Sequence, residues 1–278
     1  MARSEADDPV ALRVPAMVRF FDGVMARQMR RSFRAVRVLR PGLPPLPEGA
    51  PLVVYANHPS WWDPAFCIVL GARLFAPRAG YAPMETAALA RYPFMRRIGL
   101  FGIEPGTRAG AARFLRVGDR VLADPSRMMW TTAQGRFADP RERPVELRAG
   151  LAHLMARVPG AVALPLAVEY PFWSEKRPEA LAAFGAPVMN AGDGTGRADD
   201  WQARLTDGLT AAMDALADAA ATRDAVRFDT ILDGRRGVGG VYALWSRARA
   251  GAKGRRYDPD HLPDAPADHP VAESADTR

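Results

Sequence analysis

Residues 51–71 constrain the fold more than any other stretch. Leu52-Val53-Val54-Tyr55-Ala56 is a short apolar run rich in β-branched residues, and it reads as a buried strand. Pro64 to Gly71 is apolar with no breaker before the glycine, and it reads as a helix. Between them lies Asn57-His58-Pro59-Ser60-Trp61-Trp62-Asp63. A histidine on a strand-to-helix turn is presented at the carboxyl edge of a sheet, and a buried strand followed by a helix implies an α/β domain.

The local chemistry of this turn has two readings. Ser60 and Asp63 have the spacing of a capping box, with Asp in place of the usual Glu or Gln, and an acid in the first helical turn suits the helix dipole. Asp63 then only caps the helix, and His58 satisfies a local hydrogen bond. Alternatively, Asp63 reaches back to one imidazole nitrogen and leaves the other free as a base. No serine or cysteine nucleophile stands beside the pair, so such a base would act on a hydroxyl of the substrate.

The remaining chain alternates strands and helices. Short strands are expected at 80–82, 99–106, 128–132 and 161–170, and helices at 84–91, 107–123, 146–157 and 199–223. His153 falls on one of these helices without a partner motif and reads as structural. The glycine-rich Gly234–Gly240 follows no evident strand and lacks a P-loop lysine, which argues against a nucleotide site. The single cysteine, Cys67, excludes an internal disulfide and the usual zinc clusters. No apolar run approaches the roughly 18 residues of a membrane span, and the acidic start is no signal peptide, so a cytoplasmic location is expected.

Charge is unevenly placed. The net charge is +7, almost all from arginine. From Val14 to Arg40 a helical period puts Val14, Met17, Val18, Phe21, Val24, Met25, Met29 and Val36 on one side. Arg13, Arg19, Arg27, Arg30, Arg31, Arg34 and Arg37 fall on the other, with Phe20 and Val38 out of pattern. One long basic amphipathic helix is expected, suited to a membrane surface. Two other fates remain open: packing of the stripe on the main domain, and an arginine-rich nucleic-acid helix.

Four blocks and one later strand resemble motifs of the glycerolipid acyltransferase family, which includes the bacterial lysophosphatidic acid acyltransferases. Asn57-His58 followed by Asp63 resembles its N-H-x4-D block. Gly99-Leu100-Phe101-Gly102-Ile103-Glu104-Pro105 resembles G-x-I-F-x-x-R, with Pro105 at the arginine place and Arg108 three residues on. Ala133-Gln134-Gly135-Arg136-Phe137 resembles P-E-G-T-R, with Gln134 for the glutamate and Arg136 one place early. Leu164-Pro165-Leu166-Ala167-Val168 resembles V-P-V-A-I, and Gly185-Ala186-Pro187-Val188 resembles a late G-x-P-I strand.

The resemblance implies a central mixed sheet flanked by helices, here with an N-terminal amphipathic helix. It implies an acyltransferase in which His58 is the general base and Asp63 orients it. A fatty acyl group would pass from an acyl thioester, acyl-CoA or acyl-carrier protein, to a hydroxyl of a lysophospholipid or related lipid. Asn57, Ser60, Arg108, Gln134, Gly135, Arg136 and Pro165 would bind substrate, Pro165 by lining the acyl site. No metal or bound cofactor and no nucleic acid are implied. The partner would be the inner face of the cell membrane, met through residues 10–40. With Pro105 and Gln134 at two acceptor places, an aminolipid or a glycosylated carotenoid is an alternative acceptor. A non-catalytic membrane-binding protein is the alternative of a different class. The expected layout is helix and Pro-rich linker at 1–47, acyltransferase domain at 48–225, basic helical extension at 226–256 and a disordered acidic tail at 257–278.

Overall fold

In the computed structural model, residues 8–189, 196–235 and Arg249 are described. Strand β2 (Leu52–Ala56) lies mid-sheet and every one of its residues is buried. It is parallel to both neighbours, β5 (Arg127–Thr132) and β6 (Val162–Glu169). The parallel set continues outward from β5 through β3 (Ala79–Glu85) to β4 (Leu100–Ile103). On the other side β7 (Ala180–Phe184) and the two-residue β8 (Val188–Met189) run antiparallel to β6. The result is the expected α/β fold, a mixed nine-stranded sheet.

Alternation along β2 divides the core into two layers. Val53 and Tyr55 face α5 (Arg108–Leu122), α6 (Gly150–Met155) and α7 (Ala198–Ala221). Leu52, Val54 and Ala56 face α3 (Asp63–Leu74) and the N-terminal helix. Tyr55, with no water to meet, donates its hydroxyl to Leu205 O of α7 at 3.0 Å. Between β4 and α5 the chain turns tightly. A Cβ on Gly110 would lie 2.0 Å from Glu104 O, so glycine is required there.

The N-terminal segment departs from the expected single helix over 14–40. A short α1 (Pro9–Leu12) and then α2 (Pro15–Ser32) are followed by strand β1 (Ala35–Leu39). β1 is parallel to β7 and antiparallel to β9 (Phe228–Asp233). Val38, out of place on a helix, is buried in this strand, as is Val36 on the same face. The segment fits both periods, and ladder partners on both sides decide for the strand. Arg34 is buried, and Arg37 is ion-paired to the buried Glu179 at 3.0 Å. These two arginines therefore do not belong to a solvent-facing helical stripe.

The apolar stripe of α2 is turned inward. Ala26 and Met29 are buried among residues of α3, and Phe21 stacks on Phe94 with ring centroids 5.0 Å apart. Asp22 pairs with Arg73 of α3 at 2.9 Å. The helix packs on the domain, one of the three fates open to it and one compatible with contact to a membrane surface. The boundaries at 47/48 and 225/226 do not follow the sheet either, since β1 and β9 are integral to it. The expected extension is thus a strand at 228–233. Beyond Arg235 only Arg249 is described, so the rest of the extension and the acidic tail lie outside the described residues, as do 190–195 of the loop before α7.

Candidate active site

Ala56 is the last residue of β2 to pair in register, opposite Thr132 of β5 and Leu166 of β6. Beyond it the backbone leaves the sheet and a side chain takes over the ladder. Asn57 Nδ2 donates to Val168 O at 3.0 Å, and Val168 N donates to Asn57 Oδ1 at 2.8 Å. Asn57 is 1% exposed, and its amide, with both heteroatoms on Val168, anchors the turn. The next residue is pinned from the other side. His58 N donates to Gln134 Oε1 at 3.1 Å, and Ala138 N donates to His58 O at 3.0 Å.

The imidazole meets Asp63 at 2.6 Å through Nδ1 and Oδ2. A carboxylate only accepts, so Nδ1 carries the proton and Nε2 is left with a lone pair. Nε2 has no hydrogen-bond partner among the described residues, and the side chain keeps 19% exposure. Phe137 lies over the ring, stacked at 4.2 Å between centroids. Asp63 also performs one half of the capping box, with Oδ2 accepting from Ser60 N at 3.1 Å. Ser60 Oγ accepts from Trp62 N at 3.2 Å, and Asp63 N donates to Ser60 O at 3.2 Å, so Ser60 is a member of the turn. The capping and orienting readings of Asp63 are therefore both realised by one carboxylate. The backbone N–H groups of Ser60, Trp62 and Asp63 are engaged within the turn, and Pro64 has none.

Tyr170 is a part of this site that the sequence reading passed over. Its hydroxyl donates to Asp63 Oδ1 at 2.8 Å. Burial, with Asp63 beside it, holds the phenol pKa well above its ordinary range. Its only sequence signal is its place at the end of β6, the neighbour of β2. Phe137 was visible as the last residue of the third motif-like segment, without a role.

The turn after β5 reaches the same edge of the sheet as the turn after β2. Gln134 is buried and its Oε1 holds the His58 backbone. Gly135 has φ of 63°, and a Cβ there would fall 2.5 Å from Arg148 Nε. Arg136 forms a two-pronged ion pair with Glu142. That pairing raises the guanidinium pKa and lowers that of Glu142. A cavity of about 190 Å³ here is lined by Gln134, Arg136, Glu146, Leu147 and Arg148, and His58 is not on its wall.

The last two expected contacts part company. Arg108, the first residue of α5, is exposed at the carboxyl end of β4 with no described partner. Pro165 is buried in β6 beside Tyr55, under α7, where it crowds Gly185 and Gly208. It is packed into the core between the sheet and α7. Its missing N–H faces the gap between β7 and β8, where no ladder partner is lost. Among the described residues no group of three or more His, Cys, Asp or Glu side chains could hold a metal ion.

No family model matches the chain, and no curated protein does. Among solved structures, it is similar to the 1-acyl-sn-glycerophosphate (LPA) acyltransferase PlsC from Thermotoga maritima. The two share 11% sequence identity at a TM-score of 0.48, over 72% of this chain and 79% of that one. At those values the likeness adds nothing to the chemistry, which rests on the geometry of His58.

Proposed function

We propose that this protein is an O-acyltransferase acting on a hydroxyl-bearing lipid, with an acyl thioester as donor. One observation carries the reading. A histidine at the carboxyl edge of the sheet is held by a buried carboxylate through Nδ1, and among the described residues Nε2 has no hydrogen-bond partner, so none of their nucleophiles is paired with it. A base so placed serves a nucleophile that the substrate brings. His58 Nε2 removes the proton of the acceptor hydroxyl as its oxygen attacks the thioester carbonyl. The C–O bond forms, the C–S bond breaks, and the thiolate recovers the proton from the imidazolium. Asp63 stabilises the imidazolium while the proton resides there. For a phosphate on the acceptor, Arg108 is the contact this reading favours, because Arg136 is occupied by Glu142.

The decisive assay incubates the full chain with acyl-CoA and a panel of lysophospholipids and follows free thiol and ester product. Acceptor-dependent thiol release that disappears in His58→Ala supports the reading. Thioester consumption that ignores the acceptor, or none with either acyl-CoA or acyl-carrier protein, overturns it.

The lipid surface enters this reading through exposed aromatics and not through the stripe of α2. Phe20, Tyr92 and Phe94 are exposed at 62%, 44% and 37%, and ring contacts through Phe21 join them. Arg19, Arg27 and Arg91 are exposed and make no described ion pair. Aromatic edges beside free arginines suit the headgroup region of an anionic bilayer. Sedimentation with anionic vesicles should show binding that weakens with salt and drops further in a Phe20→Ala, Phe94→Ala double variant. Equal binding by the double variant would remove this face from the reading.

A further inference from the structure

Asp63 is 2% exposed, and both of its oxygens are engaged. Oδ2 takes the His58 Nδ1 proton and the Ser60 N–H, and Oδ1 takes the Tyr170 hydroxyl. A carboxylate turns readily about its last torsion, so one held at a single oxygen can swap which oxygen it offers the imidazole. Two-sided holding removes that freedom.

Tyr170 is itself held. Its ring packs against Phe33, at 5.3 Å between centroids, and against Phe66, at 5.9 Å. The phenol stays protonated, because burial and the adjacent carboxylate both oppose its ionisation. It is therefore a permanent donor. It also draws on the same negative charge that steadies the imidazolium, so its hydrogen bond and that of His58 are coupled through one carboxylate.

We infer that Tyr170 is a positioning residue for the His58 base, fixing Asp63 Oδ1 so that Oδ2 stays on Nδ1 and moderating how strongly the Nδ1 proton is held. The inference rests on the proposed role of His58 but acts on a bond that exists without substrate. Tyr170→Phe keeps the ring between Phe33 and Phe66 and removes only the donor. The carboxylate charge is then concentrated on the remaining partners.

The test is proton NMR of the full chain with 15N-labelled histidine. The His58 Nδ1–H signal is identified by its loss in His58→Ala. In Tyr170→Phe it should move or broaden beyond its native linewidth, and 3-fluorotyrosine at position 170, a stronger donor, should displace it in the opposite sense. The fluorotyrosine arm stands even where Tyr170→Phe folds poorly. With active protein, kcat should fall roughly tenfold in Tyr170→Phe at unchanged KM, the scale of one hydrogen bond to a charged group. An unmoved Nδ1–H signal in both variants overturns the inference, and a side chain that merely filled space would give that result. A wild-type protein without acyl transfer would sink the proposed function, while the NMR outcome would still decide this one.

Discussion

The turns that follow β2 and β5 sit side by side at one edge of the sheet and treat their polar groups in opposite ways. In the 57–63 turn, Asn57 and Asp63 are buried and each of their side-chain heteroatoms has a partner. In the 135–143 turn, Arg136 and Arg141 are exposed and pair with Glu142 and Asp139 nearby in sequence. A buried polar group left unpaired costs roughly 1–3 kcal/mol, so the first turn has one arrangement. An exposed ion pair is screened by solvent and contributes little, so the second can rearrange at little cost. Fixed geometry surrounds the His58–Asp63 pair, and rearrangeable surface charge lies beside it.

The sharpest way to break this contrast is His58→Ala. It should leave the fold intact, because the ring is partly exposed, and reduce acyl transfer by more than about a hundredfold, the usual scale for a general base. Residual turnover within tenfold of wild type, measured by ester formation, would mean that the rigid turn is scaffolding alone.

Gln134→Ala tests the bridge between the two turns. It strands the His58 N–H and loosens the backbone that aims the ring. Loss of transfer by about tenfold to a hundredfold, falling on kcat, is expected. A pure KM effect would instead assign Gln134 to the acceptor, as the third motif-like segment suggests. Phe137→Ala uncovers one face of the imidazole without touching its hydrogen bonds, so a loss of only a few-fold is expected, on the scale of about 0.5–1.5 kcal/mol for a ring pair.

Arg136→Ala should matter least. Its guanidinium is occupied by Glu142 at the surface, so the thermal unfolding midpoint and KM should both hardly move. A KM rise for phosphorylated acceptors alone would show that the pair opens on binding and that the turn adapts as its exposure allows.

Legibility followed distance along the chain. His58 and Asp63 are five residues apart across a strand, a turn and a helix start, each with a local signal, and the contact is realised at 2.6 Å. The buried strand Leu52–Ala56 and helix α5 were equally plain, since hydrophobic period and breakers suffice for both. The segment 33–40 was not. Its apolar spacing satisfies a helix as far as Val36, and only the misplaced Val38 hinted otherwise.

What the chain determined by itself, then, is the strand–turn–helix that carries His58 and Asp63, because those forces act within a few residues. What only the tertiary structure decided are contacts more than 70 residues apart. Tyr170 reaches Asp63 across 107 positions, Asn57 reaches Val168 across 111, and Gln134 reaches His58 across 76. The same holds for β1, whose identity as a strand depends on β7 and β9 offering backbone partners that no local pattern announces. Hydrogen-bond completion in the interior is a property of the assembled sheet, and it ties Asn57 to Val168, Gln134 to the His58 backbone and Tyr170 to Asp63.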